Sequence, residues 1–210
     1  MTNEEIRLRR LLDTSDALEA LAALALRFGE VERLTQHPDG RNETDTTHTV
    51  MLALAAVLVA PSMGLDPGEC VIMALVHDLP EAYAGDTPTL VRLTPEQQAD
   101  KDAAEAAATR RIRRELPLIG ALISKYERQD TPAARMVKVL DKVMPKLTHM
   151  LDRCTVARKQ GMTSDDLQEM QDQQAGHLRE RYPERAMIPV HNLFDEMTAR
   201  CMAAYPEDLG

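Results

Sequence analysis

The sequence predicts an all-α fold, a single domain of seven or eight helices, and three observations carry that prediction. Helix-start signals recur along the chain: Asp66-Pro67-Gly68-Glu69, Thr94-Pro95-Glu96-Gln97 and Thr131-Pro132 each place a capping side chain immediately before a proline. Apolar residues recur at helical spacing, as in Leu18, Leu21 and Leu24. Aromatic residues make up only 3% of the 210 and Trp is absent. The core must therefore be Leu, Ala, Val and Met, which suits packed helices better than a β-sandwich. No convincing period-2 strand, internal repeat or low-complexity tract is found.

Taken in order, Asp16 to Arg27 reads as a helix interrupted by Gly29, and His37-Pro38-Asp39-Gly40 as a turn. Thr44-Asp45-Thr46-Thr47 supplies caps for an apolar helix from His48 to Ala60. Asp66 caps the next, which runs to about His77. Thr94 opens an Ala-rich helix ending near Arg114, and Pro117 a short one to about Arg128. Thr131-Pro132 starts a longer helix reaching Arg153, with Pro145 as an internal kink. Thr163-Ser164-Asp165-Asp166 caps another, and the last lies between Val190 and Ala204.

A formal charge of -9 argues against a nucleic-acid polymer as partner, because non-specific binding to one needs a basic surface. Cys70, Cys154 and Cys201 are odd in number and widely spaced, which fits reduced thiols. The first residues carry charges where a signal peptide needs an apolar stretch. The apolar run from Val50 to Ala60 stops at Pro61, short of a bilayer's width. A soluble, cytoplasmic protein without a membrane partner is expected.

Chemistry concentrates where the apolar run Val71 to Val76 ends in adjacent His77 and Asp78, followed by Pro80, Glu81 and Asp86. Burying an unpaired imidazole and carboxylate at the end of a core helix is costly, and coordination to a divalent cation removes that cost. Partners are available on two other helices. His48 lies in a first turn, and Asp141 is a lone carboxylate within the apolar stretch from Met136 to Met144. His48, His77, Asp78 and Asp141 form a mixed N/O set, suited to one divalent transition metal (Mn, Co, Zn, Fe or Ni) rather than Mg or Ca.

This pattern, His…His-Asp…Asp on successive helices, resembles the HD-domain metal-dependent phosphohydrolases, over roughly residues 17–195. Further positions resemble the branch containing bacterial 5′-deoxyribonucleotidases. Arg33 stands fifteen residues before His48, where that branch has its phosphate-binding arginine. Glu43 falls where the branch has a Glu-Asn-Val segment, Glu81 matches its catalytic glutamate, and Asp86 in Gly85-Asp86-Thr87-Pro88-Thr89 matches an aspartate that meets the substrate sugar. Two positions depart from the branch. Leu34 replaces a Trp that crowds a ribose 2′-hydroxyl, and Glu43-Thr44-Asp45-Thr46-Thr47-His48 replaces Glu-Asn-Val-x-Glu-His.

The resemblance implies hydrolysis of deoxynucleoside 5′-monophosphates by metal-activated water, a small-molecule nucleotide substrate and a homodimer. Arg33 and Glu81 would be catalytic, and Arg33, Leu34, Asp86, Lys142 and Lys146 would meet substrate. Lys142, Lys146 and His149 project within roughly 60° of one another on an ideal helix. That stripe keeps open a second reading, release of triphosphate from a dNTP. Guanosine alarmone hydrolysis ranks lower, because Glu81-Ala82 lacks the Glu-Asp of those relatives. An option of another class is a metal-stabilised helical interaction module without turnover.

Overall fold

The computed structural model describes residues 3–87 and 93–206, with side chains from Thr14 onward. The chain runs α1 (Asn3–Gly29), β1 (Glu32–Gln36), β2 (Asn42–Thr44), α2 (Asp45–Val59), a 3₁₀ turn (Ala60–Met63), α3 (Pro67–Val76) and α4 (Glu81–Ala84). It continues through α5 (Pro95–Glu115), α6 (Pro117–Arg128), α7 (Pro132–Asp141), α8 (Met144–Leu151), α9 (Thr155–Lys159), α10 (Ser164–Arg181), a second 3₁₀ turn (Arg185–Met187) and α11 (Ile188–Ala203). The all-α class holds.

Each expected cap forms. Thr44 accepts from the Thr47 N–H, Asp66 from Gly68 and Thr131 from Ala134, while Thr94–Gln97 and Thr163–Asp166 close reciprocal capping boxes. These contacts satisfy N–H groups that a helix start otherwise leaves unpaired. α1 begins well before Asp16.

The helix expected from Pro132 to Arg153 is instead broken. Pro145 has no N–H to donate, and its ring collides with the carbonyl four residues back, which belongs to Asp141. α7 therefore ends at Asp141, tightening so that the Lys142 N–H bonds Val139 and Leu140 carbonyls, and α8 restarts at Met144. With short α4 and α9 added, eleven α-helical segments occur among the described residues, more than the seven or eight expected.

The expectation of no strands also fails at one place. β1 and β2 pair antiparallel, Glu32 opposite Thr44 and Gln36 opposite Asn42, with an irregularity between. Strands of five and three residues are too short for alternation to stand out. The connecting turn holds them: Gly40 sits at φ +86°, its N–H bonds the His37 carbonyl, and the His37 N–H returns to Arg41.

α7 is the central element, with Ala133, Ala134, Met136, Val137, Val139, Leu140 and Asp141 all buried. α2, α3, α6, α8 and α11 close around it through Leu52, Met73, Ile123, Met144 and Phe194. Against α6, α5 approaches so closely that a Cβ on Gly120 would lie 2.5 Å from Arg113 Cα. Asp45–Met63 is, by length and composition, apolar enough to cross a membrane, a longer run than the Val50–Ala60 stretch suggests. Its inner face packs Leu52, Ala53 and Ala56 into the core and carries Asp45 and His48.

Candidate metal centre

Two prolines determine where the site's side chains stand. Pro80 cannot donate to the Val76 carbonyl, so α3 gives way at His77 and Asp78, and α4 restarts at Glu81. Pro145 ends α7 at Asp141 by the same means. Both helices thus present their last side chains at a break, against the first turn of α2, which supplies Asp45 and His48. β1 lays Arg33 across the opening.

His48, His77, Asp78 and Asp141 each offer a ligand atom, all within 4.8 Å of one another. The His77 Nδ1–H donates to the Ala74 carbonyl at 2.7 Å. This turns Nε2 inward, 2.8 Å from Asp78 Oδ2 and 3.6 Å from Asp141 Oδ1. His48 Nε2 lies 2.9 Å from the same Asp141 oxygen. Behind it, Glu43 places Oε1 3.7 Å from His48 Nδ1 and accepts from the Thr35 hydroxyl, an outer support of the kind that orients ligating imidazoles. His77 Nε2 and His48 Nδ1 are buried without a hydrogen-bond partner. Two imidazoles and two carboxylates converging from three helices fit a cation.

The electrostatics agree. Burial opposes charge on His77, yet Asp78 and Asp141 outweigh it and raise the imidazole to about 9. Burial likewise works against ionisation of Asp141, and Lys142, His48 and His77 overcome it to hold the carboxylate well below its usual range. The pocket draws positive charge inward.

Arg33 ties the cation site to a second acid group. Its Nη1 lies 2.7 Å from Asp45 Oδ1, 3.1 Å from Asp78 Oδ2 and 3.6 Å from Glu81 Oε2. Asp45, Glu81 and Asp86 also gather ligand-type oxygens within 4.8 Å. Burial, reinforced by Asp78 and Asp45, pushes Glu81 up to about 11, so it holds its proton at neutral pH. Burial also raises Asp45, to about 6, against the pull of Arg33.

Arg33, His77, Asp78, Glu81 and Asp141 line one cavity of about 520 Å³, together with Asp86 and Lys142. Pro88 and Thr89, the rest of the Asp86 segment, lie outside the described residues. Lys142 Nζ pairs with Asp141 Oδ2 at 2.9 Å. Two expected substrate contacts are placed elsewhere. Leu34 does not line the cavity, because alternation along β1 turns it from the face that carries Arg33 and Thr35. Lys146 does not line it either: with His149 it faces a smaller adjoining pocket, which Lys142 also lines.

Sequence reasoning passed over three groups that the fold brings in. Asp45, read only as a cap, is fully buried against Arg33. Tyr126 sets its ring edge-on to His77, at 5.9 Å between centroids. Lys138, one turn before Asp141, faces the same cavity. The Lys138–Asp141 spacing was a usable signal; Asp45 and Tyr126 offered none without tertiary structure.

The HD-domain family matches residues 25–185. Among solved structures, the chain is similar to a predicted metal-dependent phosphohydrolase from Magnetospirillum magnetotacticum MS-1, with a TM-score of 0.65 and 23% identity, covering 89% of this chain and 98% of that one. It is also similar to a conserved hypothetical protein from Pyrococcus furiosus, with a TM-score of 0.59 and 21% identity over 86% and 98% of the two chains. A protein from Pyrococcus horikoshii OT3 follows at 0.58 and 20%, over 84% and 96%. No curated protein sequence matches. At these identities the structural likeness speaks for the fold.

Proposed function

The chain belongs to the HD-domain family, and on that premise we propose that it is a metal-dependent phosphohydrolase of small deoxynucleotides, hydrolysing deoxynucleoside 5′-monophosphates to nucleoside and phosphate. One observation carries the reading: Arg33 and Glu81 line the same cavity as His77, Asp78 and Asp141, three members of the cluster that His48 completes. A divalent cation held by those four residues would supply Lewis acidity, polarising a phosphoryl oxygen and lowering the pKa of water from 15.7 towards about 7.

The residues of the chain do the rest. Arg33, its planar fork already within reach of Asp78 and Glu81, grips the non-bridging phosphate oxygens and offsets the charge that develops on them. Glu81 carries the proton that a leaving 5′-oxygen needs. Lys142 holds one oxygen of Asp141, leaving the other turned to the two imidazoles. Asp86, on the cavity wall, is positioned to accept from a sugar hydroxyl.

Of the cationic stripe that keeps a triphosphate open, only Lys142 lines the metal cavity. Lys101, Lys138 and Arg181 on the cavity lining keep the dNTP triphosphohydrolase as the second reading. Mono- and triphosphates, deoxy and ribo, assayed with Mn, Co, Zn and Mg and with products identified, separate the two. Orthophosphate from dAMP supports the first; tripolyphosphate from dATP supports the second. A fully metallated protein inert towards every nucleotide, and unchanged by Glu81→Gln, would leave only the non-catalytic module.

A further inference from the structure

A second, smaller cavity of about 50 Å³ lies between α8 and α10 and shares only Lys142 with the metal cavity. In a chain of formal charge -9, no carboxylate lines it. Its polar wall is Lys142, Lys146, His149, Gln171 and Gln174, and its apolar wall includes Leu167 and Met170.

The polar groups are buried and short of partners. Lys146 is 4% exposed; its Nζ reaches Gln174 Oε1 at 3.4 Å and sits 3.9 Å from the Phe194 ring centre. Among the described residues no carboxylate stands within ion-pair distance of it, and burying an ammonium without a counter-ion is costly. His149 Nδ1 and Gln171 Oε1, in side chains 4% and 2% exposed, have no hydrogen-bond partner. The Gln171 amide nitrogen meets only sulfur, at 3.9 Å from Cys201 and 3.6 Å from Met202. Sulfur is a weak acceptor, so the amide turns over at little cost and presents its N–H₂ to the cavity.

We propose that this pocket is a site for a small tetrahedral oxyanion of the phosphate or sulfate class, held by the Lys146 ammonium, a His149 Nδ1–H and the turned Gln171 amide. The volume suits it: one water needs about 10–15 Å³ by this measure, so the pocket takes the few atoms of an oxyanion and little more. The ammonium excludes a metal ion, and the unpaired polar groups disfavour an apolar occupant. The site is separate from the substrate phosphate, because Lys142, the shared wall, is committed to Asp141. The inference therefore stands apart from the substrate proposed above.

The test uses the metal-loaded protein with sulfate as the probe. At constant ionic strength, sulfate should raise the melting temperature relative to chloride. Crystals soaked in selenate should show an anomalous peak between Lys146 and His149, distinct from any at Arg33. Lys146→Met should weaken sulfate binding about tenfold or more, the scale of one charge-assisted hydrogen bond. Gln174→Glu, at a half-buried position that tolerates the change, sets a carboxylate beside Lys146 and should abolish the sulfate effect while the fold persists. Sulfate affinity unaltered in both variants, or selenate only at Arg33 with water in this pocket, overturns the proposal.

Discussion

His48 and Asp141 are 93 residues apart in sequence, and the His48 Nε2 stands 2.9 Å from Asp141 Oδ1 with both side chains buried. The other Asp141 oxygen is held by Lys142, so the carboxylate is anchored on one side and offered on the other. Removing it takes a ligand from the cluster and also strands a cation.

Asp141→Ala should therefore lose bound metal and fall in stability by about 3–5 kcal/mol, the cost of breaking a buried pair by deleting one partner. Metal content by elemental analysis and urea denaturation report the two effects separately. A variant that keeps a full equivalent of metal removes Asp141 from the ligand set.

Glu81→Gln keeps the volume and the buried position while removing the transferable proton. Turnover should drop by about 10²–10⁴-fold, with metal content and melting temperature close to those of the parent. Full activity in this variant rules out the proton-donor role.

Arg33 Nη1 stands within 4 Å of three acid side chains, of which Asp45 is the least exposed. Arg33→Ala should cost about 3–5 kcal/mol of stability, and Asp45→Asn should recover part of the loss in the double variant. The coupling read from the four-member cycle should fall within about 0.5–3 kcal/mol. Strict additivity would show that the 2.7 Å contact carries no energy.

Burial lowers Lys146 from 10.5 to about 8. Below pH 8 the side chain is charged in both folded and unfolded chains, and the burial cost is fully present. Between pH 8 and 10.5 the unfolded chain binds a proton that the folded one has released, so stability should rise with pH across that window. The total gain is on the order of 3 kcal/mol, from about 1.36 kcal/mol per unit. Lys146→Met should flatten this rise and be the more stable protein at pH 7, as denaturation curves at several pH values would show.

Much of the architecture is legible residue by residue. Thr44, Asp66, Thr94, Thr131 and Thr163 all cap where expected, because a cap is a contact between a side chain and an N–H two or three residues on. The two-stranded ribbon is not legible because five and three residues carry too little periodicity, and the side to which Leu34 turns goes unread with it. The lysine stripe depends on the break at Pro145: Lys142 reaches both cavities, whereas Lys146 and His149 line only the smaller one.

Residue type and short-range spacing suffice for the all-α class, most helix starts and the inventory of imidazoles, carboxylates and the arginine. Which of those groups meet depends on the packing of the helices. That packing acts over long sequence separations. It set His48 against Asp141, joined Arg33 to Asp45, and separated Lys146 from the metal cavity. The physical reason is that these distances are set by how α2, α3 and α7 pack around a shared apolar core, and a linear spacing of 93 residues carries no such distance.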